Sequence, residues 1–298
     1  MITASLVKEL RDKTGAGMMD CKKALTETNG DIEKAIDWLR ERGISKAAKK
    51  ADRIAAEGLC NVVTYGNEAY IYEVNSETDF VAKNDQFVEL LNNIGQALID
   101  SHANTIEDAL EAKIGNETVS DALVALTAKI GEKISLRRVV RVTKQDDEVF
   151  GVYKHMGGRI AVLNVLKGED AVLAEDICMH IAAMNPRYMR EDQIPQDVLE
   201  HERTILTQEA LNENAEAAKP KPENIIVKMV EGRINKFKKD ICLVDQIYVK
   251  NSDITVGQEL KNNGSDIVTF VRFEVGEGME KRANDFAAEV AAQLEEFK

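Results

Sequence analysis

Leu59-Cys60-Asn61-Val62-Val63-Thr64-Tyr65-Gly66-Asn67-Glu68-Ala69-Tyr70-Ile71-Tyr72-Glu73-Val74-Asn75 is where the chain changes from a helical period to a period of two. Leu59 to Tyr65 and Ala69 to Asn75 read as strands, with Tyr70, Tyr72 and Val74 on one face. Gly66-Asn67 between them suits a hairpin turn that needs φ > 0. A helical stripe follows at Phe87, Leu90, Leu91, Ile94 and Leu98. A hairpin backed by an amphipathic helix is the unit of an α+β fold.

The same order recurs downstream. A helix is expected over Val119 to Lys129 and a strand over Ile134 to Val142. Phe150 to Tyr153 and Arg159 to Leu166 form a second hairpin around His155-Met156-Gly157-Gly158. A helix from Ala171 to Met184 stops at Asn185-Pro186, because the residue before proline avoids the α region. Strands followed by a helix thus occur twice, which suggests a structural duplication. Pro195 to Ala218 and Glu223 to Phe237 read as two helices joined at Lys219-Pro220-Lys221-Pro222. Ile241 to Val249 and Ile267 to Val275 read as strands flanking a short helix at Thr255 to Lys261. Phe286, Val290 and Leu294 mark a last amphipathic helix.

Upstream, three short helices carry the stripes Leu6, Val7, Leu10, then Met18, Cys21, Leu25, then Ile32, Ala35, Ile36, Leu39. Asn29-Gly30 ends the second and Arg42-Gly43 the third. Ser45 to Ala56 is alanine-rich and basic, a helical linker that is either a wet face or a docking strip for an acidic surface. The expected layout is a three-helix domain over 1–44, the linker over 45–56, and a first core subdomain over 57–143. A second core subdomain covers 144–280, with a helical-hairpin insertion at 187–238, and a C-terminal helical module covers 281–298.

At 298 residues, the chain has room for two or three domains of ~100–200 residues. Its net charge of −13 argues against general nucleic-acid binding, which needs clustered Lys and Arg. No apolar run approaches the ~20 residues of a membrane span. The start lacks the basic and apolar regions of a secretory signal, and the four cysteines form no Cys-x-x-Cys. A cytoplasmic protein with reduced thiols is expected. There is no phosphate loop, no nucleophile–base pair and no metal-ligand spacing, so no cofactor or metal is expected.

Two stretches look like contact surfaces. Thr14-Gly15-Ala16-Gly17-Met18-Met19-Asp20-Cys21-Lys22-Lys23-Ala24-Leu25 reads as a small-residue turn opening a helix. Met18 and Met19 are adjacent, so one of them should be exposed; the alternative is that both fill gaps in the small bundle. Thr78-Asp79-Phe80-Val81-Ala82-Lys83-Asn84 reads as a capped helix start. By pattern alone Phe80 is a core aromatic. His155 by pattern is an exposed turn residue, and Ile130-Gly131 a glycine C-cap.

In this order the two stretches resemble the elongation factor Ts family, the nucleotide-exchange partners of elongation factor Tu. Val271-Arg272-Phe273-Glu274-Val275-Gly276-Glu277-Gly278 matches the family as well, whereas Ile247-Tyr248 stands where the family has Pro-Phe. The resemblance implies that the three-helix domain is UBA-like and that the chain works through protein–protein binding without being an enzyme. It implies that Thr78, Asp79, Phe80 and Val81 enter the GTPase domain of factor Tu and dislodge its Mg²⁺. It also implies further contacts at Arg11, Met18, Met19, Lys22, Ile130, Gly131 and His155. No nucleic acid or membrane is an expected partner; the two-helix arm is a candidate homodimer contact. Rival readings are a passive adaptor, or an enzyme using Asp79 and His155 as acid and base, which would have to share a cleft.

Overall fold

Each hairpin of this chain becomes the edge and centre of a small three-stranded sheet. The computed structural model describes residues 2–14, 16, 18–217 and 219–280, with 12, 44–46 and 48 described by backbone alone. The expected helix at 281–298 lies outside them.

α1 (Ala4–Thr14), α2 (Met18–Glu27) and α3 (Ile32–Ala48) close around Leu10, Cys21, Ala24, Leu25 and Ala35. Asn29 (φ +56°) and Gly30 (φ +86°) turn the chain after α2. The Asp31 carboxylate accepts the Lys34 N–H at 3.1 Å and starts α3.

β1 (Glu57–Tyr65) and β2 (Glu68–Ser76) form the hairpin, with Gly66 at φ +56°. α4 (Asp79–Ala82), α5 (Asp85–Ser101) and α6 (Ile106–Glu111) follow. The two-strand ribbon β3 (Lys113–Ile114) and β4 (Glu117–Thr118) comes next, then α7 (Val119–Ile130) and β5 (Ser135–Thr143). The sheet order is β1-β2-β5. β2 is central and buried on both faces, which is why Ile71 and Glu73 are as enclosed as Tyr70, Tyr72 and Val74. α5 rides close on this sheet at Gly95, where a Cβ would lie 2.5 Å from the Tyr72 hydroxyl. That hydroxyl donates to Leu91 O at 2.7 Å and accepts from Asn61 at 2.8 Å.

The second copy repeats the order. β6 (Glu148–His155) pairs antiparallel with β7 (Ile160–Lys167), and α8 (Ala171–Met184) packs on them. The helical hairpin α9 (Gln196–Glu216) and α10 (Glu223–Ile241) is followed by the ribbon β8 (Ile247–Tyr248) and β9 (Asn251–Thr255), then α11 (Val256–Asn262) and β10 (Ile267–Glu274). The sheet order is β6-β7-β10, with the late strand again beside the second hairpin strand. In both copies the ribbon ends in a threonine that opens the next helix with a capping box: Thr118 with Asp121, and Thr255 with Gln258. The copies differ between the long helix and the ribbon, where α6 stands only in the first, and in two further places. α9 and α10 are inserted in the second, and the connection from hairpin to long helix is 77–84 in the first but only 168–170 in the second.

The chain divides into two compact units. One comprises Met1–Val63, Tyr72–Arg141 and Phe273 onward; the other comprises Thr64–Ile71 and Val142–Arg272. The hairpin tip belongs to the second unit, where Asn67 O accepts from Lys144 N at 3.0 Å.

Two expectations are corrected. α3 does not stop at Arg42-Gly43 but runs to Ala48, and residues 49–53 are turns, so only the start of the 45–56 stretch is helical. Gly43 packs against Ala128 of α7, and Arg40 pairs with Asp121 at 2.8 Å. These tertiary contacts outweigh the ~1 kcal/mol that glycine costs a helix interior. Ile241 to Val249 is not a strand either. α10 continues to Ile241, Leu243–Asp245 is a 3-10 turn, and only Ile247–Tyr248 pairs. Cys242, Leu243 and Tyr248 are buried there while Ile247 and Val249 are exposed, and Leu243 N and Val244 N are bonded to Tyr188 O and Met189 O.

Glu73 is fully buried in the first unit. Its carboxylate accepts from Arg137, from Arg138 Nε at 2.6 Å, from Asn75 at 2.9 Å and from Gly276 N at 2.8 Å. Burial pushes its pKa up, but the hydrogen bonds from Gly276 and Asn75 and the charge of Arg138 outweigh it, so the group is held below its ordinary value.

His180 is buried in the second unit. Nδ1 accepts from Val249 N at 3.3 Å, so Nε2 carries the proton and donates to Gln246 at 2.9 Å. Burial pushes its pKa down, partly opposed by Gln246. The neutral ring therefore adds stability above the unfolded pKa of ~6.5, which is lost as pH falls through that value toward the folded one. The thermal midpoint of this unit is expected to drop between pH 7 and pH 5.5, and His180→Gln should flatten the slope. Equal slopes in parent and variant would refute the assignment.

Candidate partner-binding site

Ser76 ends β2, and the next residues turn the chain outward. Thr78 is the N-cap of α4: its hydroxyl accepts the Val81 N–H at 3.4 Å and its φ is −128°. This four-residue helix puts Phe80 on its outer side and Val81 and Ala82 on its inner side. Phe80 is 81% exposed, while Val81 and Ala82 are buried. A phenylalanine this bare is out of place as a core residue. Asp79 pairs with Lys83 at 2.7 Å.

The turn is gripped from below by the segment after α7. The Glu132 carboxylate accepts from Thr78 N at 3.0 Å and from the Thr78 hydroxyl at 2.8 Å. In return, the Glu77 carboxylate accepts from Lys133 N at 2.7 Å and Arg53 at 3.3 Å. Each acidic side chain therefore holds the backbone N–H of the residue that follows the other. Gly131 is the left-handed C-cap of α7, with φ +91°, and its carbonyl accepts from Lys50. The structure thus brings Ile130-Gly131 beside Thr78–Val81, although these segments lie some fifty residues apart in the chain. Glu77 and Glu132, which fix this geometry, were not singled out by sequence reasoning. Lone glutamates in loops carry no local signal.

Met18 and Met19 open α2 on its outer face, 60% and 75% exposed. The i, i+3, i+7 stripe that placed Met18 with Cys21 and Leu25 is completed instead by Ala24. Arg11 and Lys22 are exposed on the same small bundle.

In the second unit, His155 is the last residue of β6 and exposed, its Nδ1 3.1 Å from the Tyr153 hydroxyl. The turn beyond it holds Met156 at φ +50°, a conformation uncommon for a residue with a side chain. Met156 is 74% exposed. It joins the candidate contacts; the signal for it was the His155-Met156-Gly157-Gly158 turn, read only for its histidine.

Acid–base chemistry finds little support. Asp79 is ion-paired to its own helix and His155 leans on Tyr153. All four cysteines are free and buried, and no group of three or more metal-ligating side chains occurs among the described residues. No described helix is long and apolar enough to cross a membrane. The surface offers exposed, adaptable apolar side chains on stiff backbone turns, which suits recognition of another protein. A family model described as Elongation factor TS matches residues 77–277.

Proposed function

The chain belongs to the elongation factor Ts family, whose members act in protein biosynthesis as nucleotide-exchange factors of elongation factor Tu, and we propose that it accelerates GDP release by driving Phe80 against the partner's Mg²⁺ and phosphate site. Mg²⁺ demands near-ideal octahedral geometry at ~2.0–2.1 Å from its ligands. A wedge that displaces a supporting element by a fraction of that distance spoils coordination. The phosphates then lose their counter-charge and GDP affinity falls. Nucleotide and exchange factor weaken each other's binding by the same factor, because the coupling is reciprocal. GTP then displaces this chain from the nucleotide-free partner.

The observation that carries the reading is Phe80, exposed on a cap that Glu132 holds by two hydrogen bonds. A lever needs a rigid base, and this clamp supplies one. Burying one phenylalanine yields about 1.5–3 kcal/mol. A 10⁴-fold shift in nucleotide affinity needs about 5.5 kcal/mol of differential binding. Phe80 therefore works with other anchors: Met18 and Met19, Arg11 and Lys22, Ile130-Gly131, and His155 with Met156. The α9–α10 hairpin, with Ile205, Leu211 and Val227 exposed, is proposed as a further contact, to factor Tu or to a second copy.

The test is release of labelled GDP from purified elongation factor Tu with and without this chain. Acceleration by catalytic amounts is expected. Binding without any change in release would mean a passive adaptor and would overturn the proposal.

A further inference from the structure

Three segments distant in the chain meet beneath the Phe80 cap: the turn at 49–53, the pair Glu77 and Thr78, and the stretch 131–133. Lys133 bonds to both of the others. Its backbone N–H donates to the Glu77 carboxylate at 2.7 Å, and its ammonium donates to the carbonyls of Ala51 and Arg53 at 2.6 and 3.2 Å. We propose that Lys133 is a positioning residue for nucleotide exchange: it fixes the Phe80 cap to the three-helix module, so that docking of the module on the partner drives the ring into place; this rests on the exchange reading above, with Met18 and Met19 as contacts.

The module is fastened to α7 at both ends of that helix. Near the start of α7, Arg40 of α3 pairs with Asp121 at 2.8 Å, and Asp121 is itself held in the capping box with Thr118. Further along, Gly43 lies so close that a Cβ on it would be 3.5 Å from that of Ala128. Beyond the end of α7, α3 passes directly into the turn: Lys50 N donates to Ala47 O at 2.9 Å, and Arg53 N to Lys50 O at 3.0 Å. The Lys50 ammonium donates to the carbonyl of Gly131, the C-cap of α7. α7, 12 residues and about 18 Å long, is therefore the spacer between the module and the cap.

Arg53 also pairs with Glu77 at 3.3 Å, but it is half exposed, and an ion pair of that kind holds geometry weakly. Lys133 grips main chain instead: two carbonyls of the turn on one side and, through its own N–H, the base of the cap on the other. The consequence is energetic. If module and cap were loosely joined, energy gained at Met18 and Met19 would only raise affinity. Joined rigidly, the module seats fully only when Phe80 has displaced what it presses on. Part of the remote binding energy then goes into distortion at the metal site.

Release of fluorescent GDP from purified elongation factor Tu, followed over a range of concentrations of this chain, gives a saturating rate and a half-saturating concentration. Lys133→Met keeps the aliphatic stem and the backbone N–H and removes the ammonium. It is expected to lower the saturating rate at least about 5-fold, the low end of coupling between two sites. The half-saturating concentration should not rise, whereas a damaged fold would raise it. Lys133→Arg, which can donate to the same carbonyls, should restore the rate. Two exposed substitutions carry the test even where Lys133→Met fails to fold. Met19→Ala should slow saturating release in the parent, yet add nothing to the slowing by Phe80→Ala. A parental saturating rate from folded Lys133→Met would overturn the proposal. So would slowing by Met19→Ala that is equal with and without the Phe80 ring. Phe80→Ala releasing GDP at the parental rate would instead refute the wedge itself, so the two failures are distinguishable.

Discussion

Phe80→Ala is expected to slow stimulated GDP release from elongation factor Tu by about 10- to 150-fold, the rate equivalent of losing the 1.5–3 kcal/mol from burying one phenylalanine. Affinity for the GDP-loaded partner should change far less. In the parent, energy gained as the ring enters is used to distort the metal site, so removing the ring removes both the gain and the strain. The fold should be unaffected, because Phe80 is 81% exposed and surface substitutions of this kind stay within about ±0.5 kcal/mol. Stopped-flow release of a fluorescent GDP gives the rate, and calorimetry the affinity. Equal release rates for parent and variant would remove Phe80 from the mechanism. A fall in affinity as large as the fall in rate would make it an ordinary anchor.

Glu73→Ala is expected to cost about 3–5 kcal/mol of stability in the first unit, because it leaves Arg137 and Arg138 half-buried without their shared carboxylate. Arg138 would keep its stacking on the Phe273 ring at 3.9 Å, and Gly276 N would lose its acceptor. Urea unfolding followed by Trp38 fluorescence reads this unit. A midpoint within error of the parent would refute the account. The pH dependence has a defined sign. Because the folded carboxyl sits below its unfolded value of ~4.3, its contribution is complete above that pH and is lost as pH falls through the folded pKa. Glu73→Gln should therefore show a shallower acid limb than the parent.

Local chemistry made most elements legible. The Gly66-Asn67 turn and the Asn185-Pro186 stop placed the first hairpin and the end of α8. The errors share one cause, which is that distant packing overrode local signals. Gly43 reads as a stop until Ala128 is beside it. Ile241 to Val249 reads as a strand because an apolar run looks the same whether it enters a sheet or an irregular turn. The ribbons β3–β4 and β8–β9 are too short to show any period. At the candidate surface a helix cap at Thr78 or Asp79 was legible, being only three residues long, and Thr78 is the one that forms it. The Glu77–Lys133 and Thr78–Glu132 bonds were not, because they join segments more than fifty residues apart.

The connection at 77–84 has only 168–170 as its counterpart in the second copy. The Phe80 finger therefore belongs to the first copy alone; the second has the same sheet order without it. Fold and tool are in principle separable. A chain whose first copy were given the short linker of the second would lose α4 but should keep its sheets and its other helices, yet leave the partner's nucleotide undisturbed.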